Sequence, residues 1–317
     1  MIRHTLASAA LVATALLATE AYGAYAEERR APEARTPSRA LAGYAEIPFV
    51  PVPPEPATGS AQRPPSNLTR GTEIPLVPAP RDPGQARSAS PVPAGATRLF
   101  SEDFENGGFA RWDSCQNVFV NSDCDTSGVG HALDLVGQAR KGEFAARFVV
   151  KPGDVPDFGG GERSEVASHS DEMATRSGDR RWYEFSLFFP EDFPNPVEGD
   201  WFIVMQWHAG DGSPPLAVEV SPDGELYLGG DGVEHDSRRI GPVRRGEWVD
   251  YVMHVGFSRS ASEGFVEVWE NGEQVVERVS RATMSSDENY FKMGIYRGNG
   301  DDSTAAVLID DLAVYAG

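Results

Sequence analysis

Cysteine is nearly missing from this chain: Cys115 and Cys124 are the only two in 317 residues. A densely disulfide-stapled scaffold is thereby excluded, and two thiols without closely spaced histidines cannot build a tetrahedral metal cage. Basic residues are short too, 28 Lys+Arg against 48 Asp+Glu. The deficit is concentrated. Up to residue 97, nine basic side chains face eight acidic ones; beyond it 19 face 40, a net charge of −21 for residues 98–317. A domain this acidic offers no basic stripe for nucleic acid or anionic membrane, so neither partner is expected. Also missing are a sustained 3.6-residue apolar period, a phosphate-binding glycine loop, a Gly-x-Ser-x-Gly elbow and any internal repeat, which argues against helix bundles, P-loop nucleotide enzymes and α/β-hydrolases. No apolar run reaches the ~20 residues of a bilayer span.

The longest apolar run that is present, residues 5–18, follows Arg3 and His4 and precedes Ala24-Tyr25-Ala26. That is the pattern of an export signal, so residues 1–26 are expected to be a cleaved signal peptide and the mature chain to be secreted or periplasmic. In that oxidising setting Cys115 and Cys124 should form a local disulfide. Residues 27–97 hold 15 of the 24 prolines and only two aromatics, Tyr44 and Phe49. Such a stretch cannot bury enough apolar area to offset chain entropy and is expected to be a Pro-rich disordered linker. All six tryptophans lie beyond it, so residues 98–317 form the folded domain.

In that domain short runs rich in Val, Phe, Trp and Tyr alternate with Gly, Pro, Asn and Asp. The pattern is β throughout. Segments 265–270 and 274–279 flank Asn271-Gly272, a pair that accepts the positive φ angles of a type I′ hairpin turn. Segments 216–220 and 225–228 make a second hairpin, and further strands are expected at 143–150, 162–167, 182–189, 201–208, 248–255, 290–297 and 306–315. About ten strands in a domain this size point to an all-β, two-sheet β-sandwich of jelly-roll (concanavalin-like) type.

Residues two apart on a strand share a face. In 201–208 the set Trp201, Ile203, Met205, Trp207 suits a core, which turns Phe202, Val204, Gln206 and His208 outward. In 290–297 the core set is Phe291, Met293, Ile295; Tyr290, Lys292, Gly294 and Tyr296 face the other way, with the glycine leaving a gap for a ligand. In 162–167 Arg163 and Glu165 share a face. A histidine or lysine pointing outward from a strand is usually just solvated, but here bulky aromatics share those faces, as in a groove.

Arg163-Ser164-Glu165-Val166, Gln206-Trp207-His208 and Tyr290-Phe291-Lys292-Met293-Gly294-Ile295-Tyr296-Arg297, in this order, resemble the signature strands of jelly-roll polysaccharide lyases: alginate lyases, glucuronan lyases and the heparin lyase I group. The tryptophan within Gln206-Trp207-His208 and the Tyr296-Arg297 pair are most similar to the glucuronan and heparin lyase I type. The resemblance implies β-elimination on an anionic, uronic-acid polysaccharide by a monomer needing no cofactor for its chemistry.

That reaction removes the C5 proton beside a carboxylate and expels the C4 oxygen. The carboxylate must first be neutralised, which suits the planar fork of Arg163 and the amide of Gln206. His208 titrates near neutrality and can act as base, while Tyr296, a phenol that ordinarily titrates near 10, can act as acid. By the resemblance Tyr296 is the acid and either His208 or Tyr296 the base, depending on which face of the sugar bears the proton. Lys292, Tyr290 and Arg297 are assigned to substrate binding, with Lys292 either holding a carboxylate or tuning Tyr296. His254 reads as structural or groove-lining; His131, His169 and His235 receive no role. The pairs Arg180-Arg181, Arg238-Arg239 and Arg244-Arg245 either rim a polyanion groove or are simply solvated.

Three other classes compete. A retaining glycoside hydrolase would carry paired carboxylates such as Glu-x-Asp-x-x-Glu, which do not occur here. A non-catalytic sugar-binding module would have no use for Arg163, Gln206, His208 and Tyr296 together. A calcium-stabilised adhesion domain would use the carboxylates of residues 101–105 with Asp310-Asp311 around a structural ion. The acidic exterior argues against heavily sulfated heparin and favours glucuronan or alginate, because at ~0.15 M salt a ~8 Å Debye length lets a basic groove act locally.

Overall fold

The computed structural model describes residues 90–317 except 123, 125–129, 211 and 234–236, together with the backbone but not the side chains of Asn121 and Ser122. The expected signal peptide, all but the last residues of the Pro-rich segment, and His235 lie outside the described residues. Within them no helix forms, so none is long and apolar enough to cross a membrane.

In chain order the strands are β1 (Arg98–Glu102), β2 (Ser114–Asn117), β3 (Asn121–Ser122), β4 (Leu133–Val136), β5 (Ala145–Val150), β6 (Glu162–Ser168), β7 (Thr175–Arg176), β8 (Arg180–Phe188) and β9 (Phe202–His208). They continue with β10 (Leu216–Val220), β11 (Glu225–Gly229), β12 (Arg238–Pro242), β13 (Trp248–Gly256), β14 (Phe265–Glu270), β15 (Glu273–Ser280), β16 (Glu288–Arg297) and β17 (Ala305–Ala316). An eight-stranded sheet runs β15-β14-β13-β8-β17-β5-β4 with β1 on β17, and a nine-stranded sheet runs β12-β11-β10-β9-β16-β6-β2-β3 with β7 on β16. This is the all-β, two-sheet jelly-roll sandwich. Both expected hairpins form, and Asn271 and Gly272 have φ of 48° and 83°, as a type I′ turn requires. Cys115 and Cys124 are joined in a disulfide.

Phe148, Tyr183, Leu187, Trp207, Phe291 and Met293 lie in the apolar core between the sheets. The strands that sequence reasoning passed over are the short ones, β1 to β4, β7 and β12. At five residues or fewer they show too little alternation to stand out from flanking loops, whereas the equally short β10 and β11 are marked by the hairpin turn between them.

One strand departs from simple alternation. Opposite β9, Met205 pairs with Val218 and Met293, but Ile203 pairs with Glu219 and Tyr296. Against β10 Val204 is thus the extra residue of a β-bulge, while against β16 the extra residue lies on β16; the bulge in β9 reverses which face the preceding residues occupy. Phe202 and Val204 join the core, Ile203 does not, and Trp201 packs edge-on against Tyr296 at 4.9 Å. The expectation that Trp201 and Ile203 point inward is therefore corrected, while Gln206 and His208 keep their outward places.

Candidate active site

The fold brings the three motif strands side by side in the middle of one sheet, with β16 between β6 and β9. Tyr296 lies opposite Arg163 and Ile203, Lys292 opposite Ala167 and Gln206, and Tyr290 opposite His208. Paired residues across antiparallel strands share a face. Phe291, Met293 and Ile295 fill the core, which turns Tyr290, Lys292 and Tyr296 to the outer face of the sheet.

The polar groups there are withdrawn from solvent. Arg163 is 8% exposed, Lys292 2%, Glu165 1% and Gln206 0%. Glu165 is their centre: one oxygen accepts from Gln206 Nε2 at 2.5 Å, the other from Lys292 Nζ at 2.5 Å and from Arg163 Nη1 at 3.5 Å. The Arg163 guanidinium lies on the Tyr296 ring, 3.9 Å from its centroid, and Lys292 Nζ is 5.8 Å from the same ring. The ring of exposed Phe158 also lies 5.1 Å from the Arg163 guanidinium. Gly160 and Gly161 press this loop close: a Cβ on Gly160 would meet Arg163 Nη2 at 2.7 Å, and one on Gly161 would meet Tyr296 Cε2 at 2.7 Å.

Farther along the same face Tyr290 stacks on the His169 imidazole at 4.0 Å and lies 5.4 Å from the tilted ring of His208. The backbone N–H of Gly210 donates to His208 Nδ1 at 2.9 Å, so the neutral ring carries its proton on Nε2. Burial, and then the nearby Lys292 cation, pushes the His208 pKa below its ordinary value and keeps the ring neutral. Burial raises that of Tyr290. Arg163 Nε and Gln206 Oε1 are buried without a hydrogen-bond partner among the described residues.

Arg163, Gln206, His208, Lys292, Tyr290 and Tyr296 thus share one recess. Arg297 does not. It is fully buried on the inner side, where its guanidinium donates to Glu162 at 2.7 Å, to the carbonyls of Asp301 and Ser303, and lies 5.3 Å from the Phe202 ring centroid. Its assignment to substrate is corrected: strand alternation sets it on the face of Ile295, and a buried guanidinium needs a carboxylate partner. The Gly294 gap is corrected as well. A Cβ there would strike Ser164 O at 2.1 Å, so the glycine admits the neighbouring strand, not a ligand.

Sequence reasoning missed three recess residues. Alternation sets Glu165 beside Arg163 without assigning it a role, His169 follows the end of β6 and stacks on Tyr290, and Gln116 lies directly opposite Glu165 on β2. Only the first left a signal, its shared face with Arg163. His254 is structural, stacked on Trp182 at 3.9 Å and bonded to Glu267 at 2.8 Å on the other sheet. Four of the six paired arginines are held by groups of the protein itself. Arg239 binds Glu225, Arg244 binds Glu270, Arg245 binds Asn195, and Arg181 binds Asp179.

Two of the carboxylates named for a structural cation are held by backbone N–H groups. Among the described residues no three His, Cys, Asp or Glu side chains converge to hold a metal ion. Glu105 instead accepts from the N–H groups of Glu143 and Phe144, and Asp310 from those of Arg140, Lys141 and Asp311.

With this geometry in place, comparison with known proteins is informative. The polysaccharide lyase family matches residues 104–313, most of the described chain. The chain belongs to the polysaccharide lyase family. The lyase fold resembles that of the endo-β-1,4-glucuronan lyase from the fungus Trichoderma reesei, with a TM-score of 0.53 and 20% identity over 70% of this chain and 96% of that one. It also resembles the catalytic domain of the glycoside hydrolase family 131 protein from Coprinopsis cinerea, with a TM-score of 0.50 and 14% identity over 70% of this chain and 95% of that one. Identities this low speak for the fold alone. No curated protein matches the lyase in sequence.

Proposed function

We propose that this polysaccharide lyase is exported and cleaves a uronic-acid polymer by β-elimination, acting on glucuronan or on the mannuronate blocks of alginate. The observation that carries the reading is the Arg163 guanidinium lying on the Tyr296 ring with Lys292 Nζ 5.8 Å from that ring. Cations and a phenol are thus held together where a uronate would offer a carboxylate and, next to it, a proton.

In this mechanism Arg163, Lys292 and the free amide hydrogen of Gln206 neutralise the substrate carboxylate, so that charge developing on it as C5 loses its proton meets preorganised donors. Tyr296, acting as its phenolate, takes the C5 proton and hands it to the departing C4 oxygen, which leaves as a hydroxyl while the C5–H electron pair becomes the C4–C5 double bond and the phenolate is regenerated. His208 serves as a neutral Nε2–H donor to the sugar, because its Nδ1 lone pair is already occupied by Gly210 N–H at 2.9 Å. One phenol doing both transfers requires the proton and the leaving oxygen on the same face of the ring. D-Glucuronate and D-mannuronate meet that condition; guluronate and iduronate do not. The T. reesei neighbour, a glucuronan lyase, agrees with the first of these.

The test incubates the purified chain with glucuronan, mannuronate-rich and guluronate-rich alginate, heparan and pectin, and follows the ultraviolet absorbance of the unsaturated uronate. Signal from glucuronan or polymannuronate is expected. Signal only from guluronate-rich polymer would reverse the base assignment to His208, and new reducing ends without absorbance would mean hydrolysis.

A further inference from the structure

A carboxylate at the centre of a recess meant for a carboxylate requires explanation. Glu165 is 1% exposed and touches three of the groups to which the elimination reading gives a part. Its formal charge is outweighed: Arg163 and Lys292 bring two positive charges to one negative, which leaves one, matching a single uronate. Without Glu165 two cations would share a site almost closed to water, and the least costly response is loss of the Lys292 proton.

We infer that Glu165 is a positioning residue of this lyase, holding Lys292 charged and fixing the Gln206 amide so that both meet the substrate carboxylate; the inference rests on the elimination reading. Its Oε1 takes one hydrogen of Gln206 Nε2, which decides the amide orientation, leaves the second hydrogen free, and turns Oε1 of Gln206 to a buried place without a partner among the described residues. Its Oε2 bonds Lys292 Nζ at 2.5 Å. The groups facing that ammonium are Glu165 and Arg163 from β6, His208 from β9, and Tyr296 from its own strand. Glu165 supplies the only negative charge among them. Burial draws the Lys292 pKa below the ordinary lysine value, and Glu165 opposes that fall.

Glu165→Gln keeps the shape and removes the charge. Two readouts are paired: the titration of the Lys292 side-chain nitrogen by NMR, which needs no turnover, and kcat against pH from unsaturated-uronate release. In Glu165→Gln the Lys292 titration should fall by about one pH unit or more. The alkaline limb of kcat should move with it, and kcat at neutral pH should drop about tenfold or more. Glu165→Asp retains the charge but shortens the reach, so its limb should stay in place while kcat falls. Unchanged Lys292 titration and an unmoved limb in Glu165→Gln would overturn the inference. If Glu165→Gln does not fold, an acid-shifted limb or a wild-type kcat in Glu165→Asp would overturn it. Failure of the wild type to release unsaturated uronate from any polymer would refute the elimination reading instead, with the Lys292 titration still deciding the charge-holding role.

Discussion

Replacing Arg297 by methionine separates a structural guanidinium from a substrate ligand. The side chain is 0% exposed and its partner Glu162 only 5%. Methionine keeps most of the apolar stem and removes every donor. Glu162 would retain one hydrogen bond, from Gly153 N–H at 2.6 Å, and the carbonyls of Asp301 and Ser303 would lose theirs. Breaking a buried ion pair from one side costs about 3–5 kcal/mol, and each orphaned carbonyl about 1–3 kcal/mol more where water cannot reach it. A total of at least ~5 kcal/mol against a stability of ~5–15 kcal/mol is severe. At roughly 2–4 °C per kcal/mol for a domain of this size, Tm should fall by about 10–20 °C. Differential scanning calorimetry measures that, and uronate release at low temperature gives KM and kcat of the folded fraction, both expected within about threefold of wild type. The double variant with Glu162→Gln should recover part of the loss, because it removes one of the two stranded charges, the other being Asp301, 3.4 Å from Arg297 Nη1. An unchanged Tm with KM raised about tenfold or more would refute the reasoning, since that is the signature of a lost charge-assisted bond to substrate.

Other outcomes follow from the same geometry. Tyr296→Phe retains the ring on which Arg163 lies and loses only the hydroxyl; kcat should fall about a thousandfold with KM and Tm little changed, as read by absorbance and calorimetry. A folded-state pKa of His208 below its unfolded value means the unfolded chain takes up the proton first on acidification, so stability present above the ordinary imidazole pKa is lost as pH falls. The Tm of His208→Gln should therefore decline less than wild type from pH ~7 to ~5, and equal declines would contradict the neutral buried ring. Gly294→Ala sets a Cβ 2.1 Å from Ser164 O at φ 139°, so soluble folded protein should be lost on expression, and a stable, active variant would show that the two strands can separate there.

Much of the recess was legible because β16 follows the period-2 rule without exception. Phe291, Met293 and Ile295 lie inside and Tyr290, Lys292 and Tyr296 outside, as hydropathy demands. The same rule put Arg297 inside, and only its membership of a motif suggested otherwise. In β9 the rule had two equal answers, since Trp201 and Ile203 are no more apolar than Phe202 and Val204. The bulge at Val204 decided between them, and its cause lies in the pairings with β10 and β16. Glu165 could be set beside Arg163 by alternation, but its other partners are 41 and 127 residues away in sequence.

The sequence by itself determined the all-β class, the hairpin at Asn271-Gly272, the disulfide partners and which residues of three strands share a polar face, because each follows from local sterics, alternation or the scarcity of an alternative. Tertiary structure alone decided that β16 sits between β6 and β9, that Glu165 reaches Gln206 and Lys292, and that Arg297 meets Glu162. Those outcomes depend on strand order and on electrostatics across long chain separations. Nothing in the neighbouring residues encodes them.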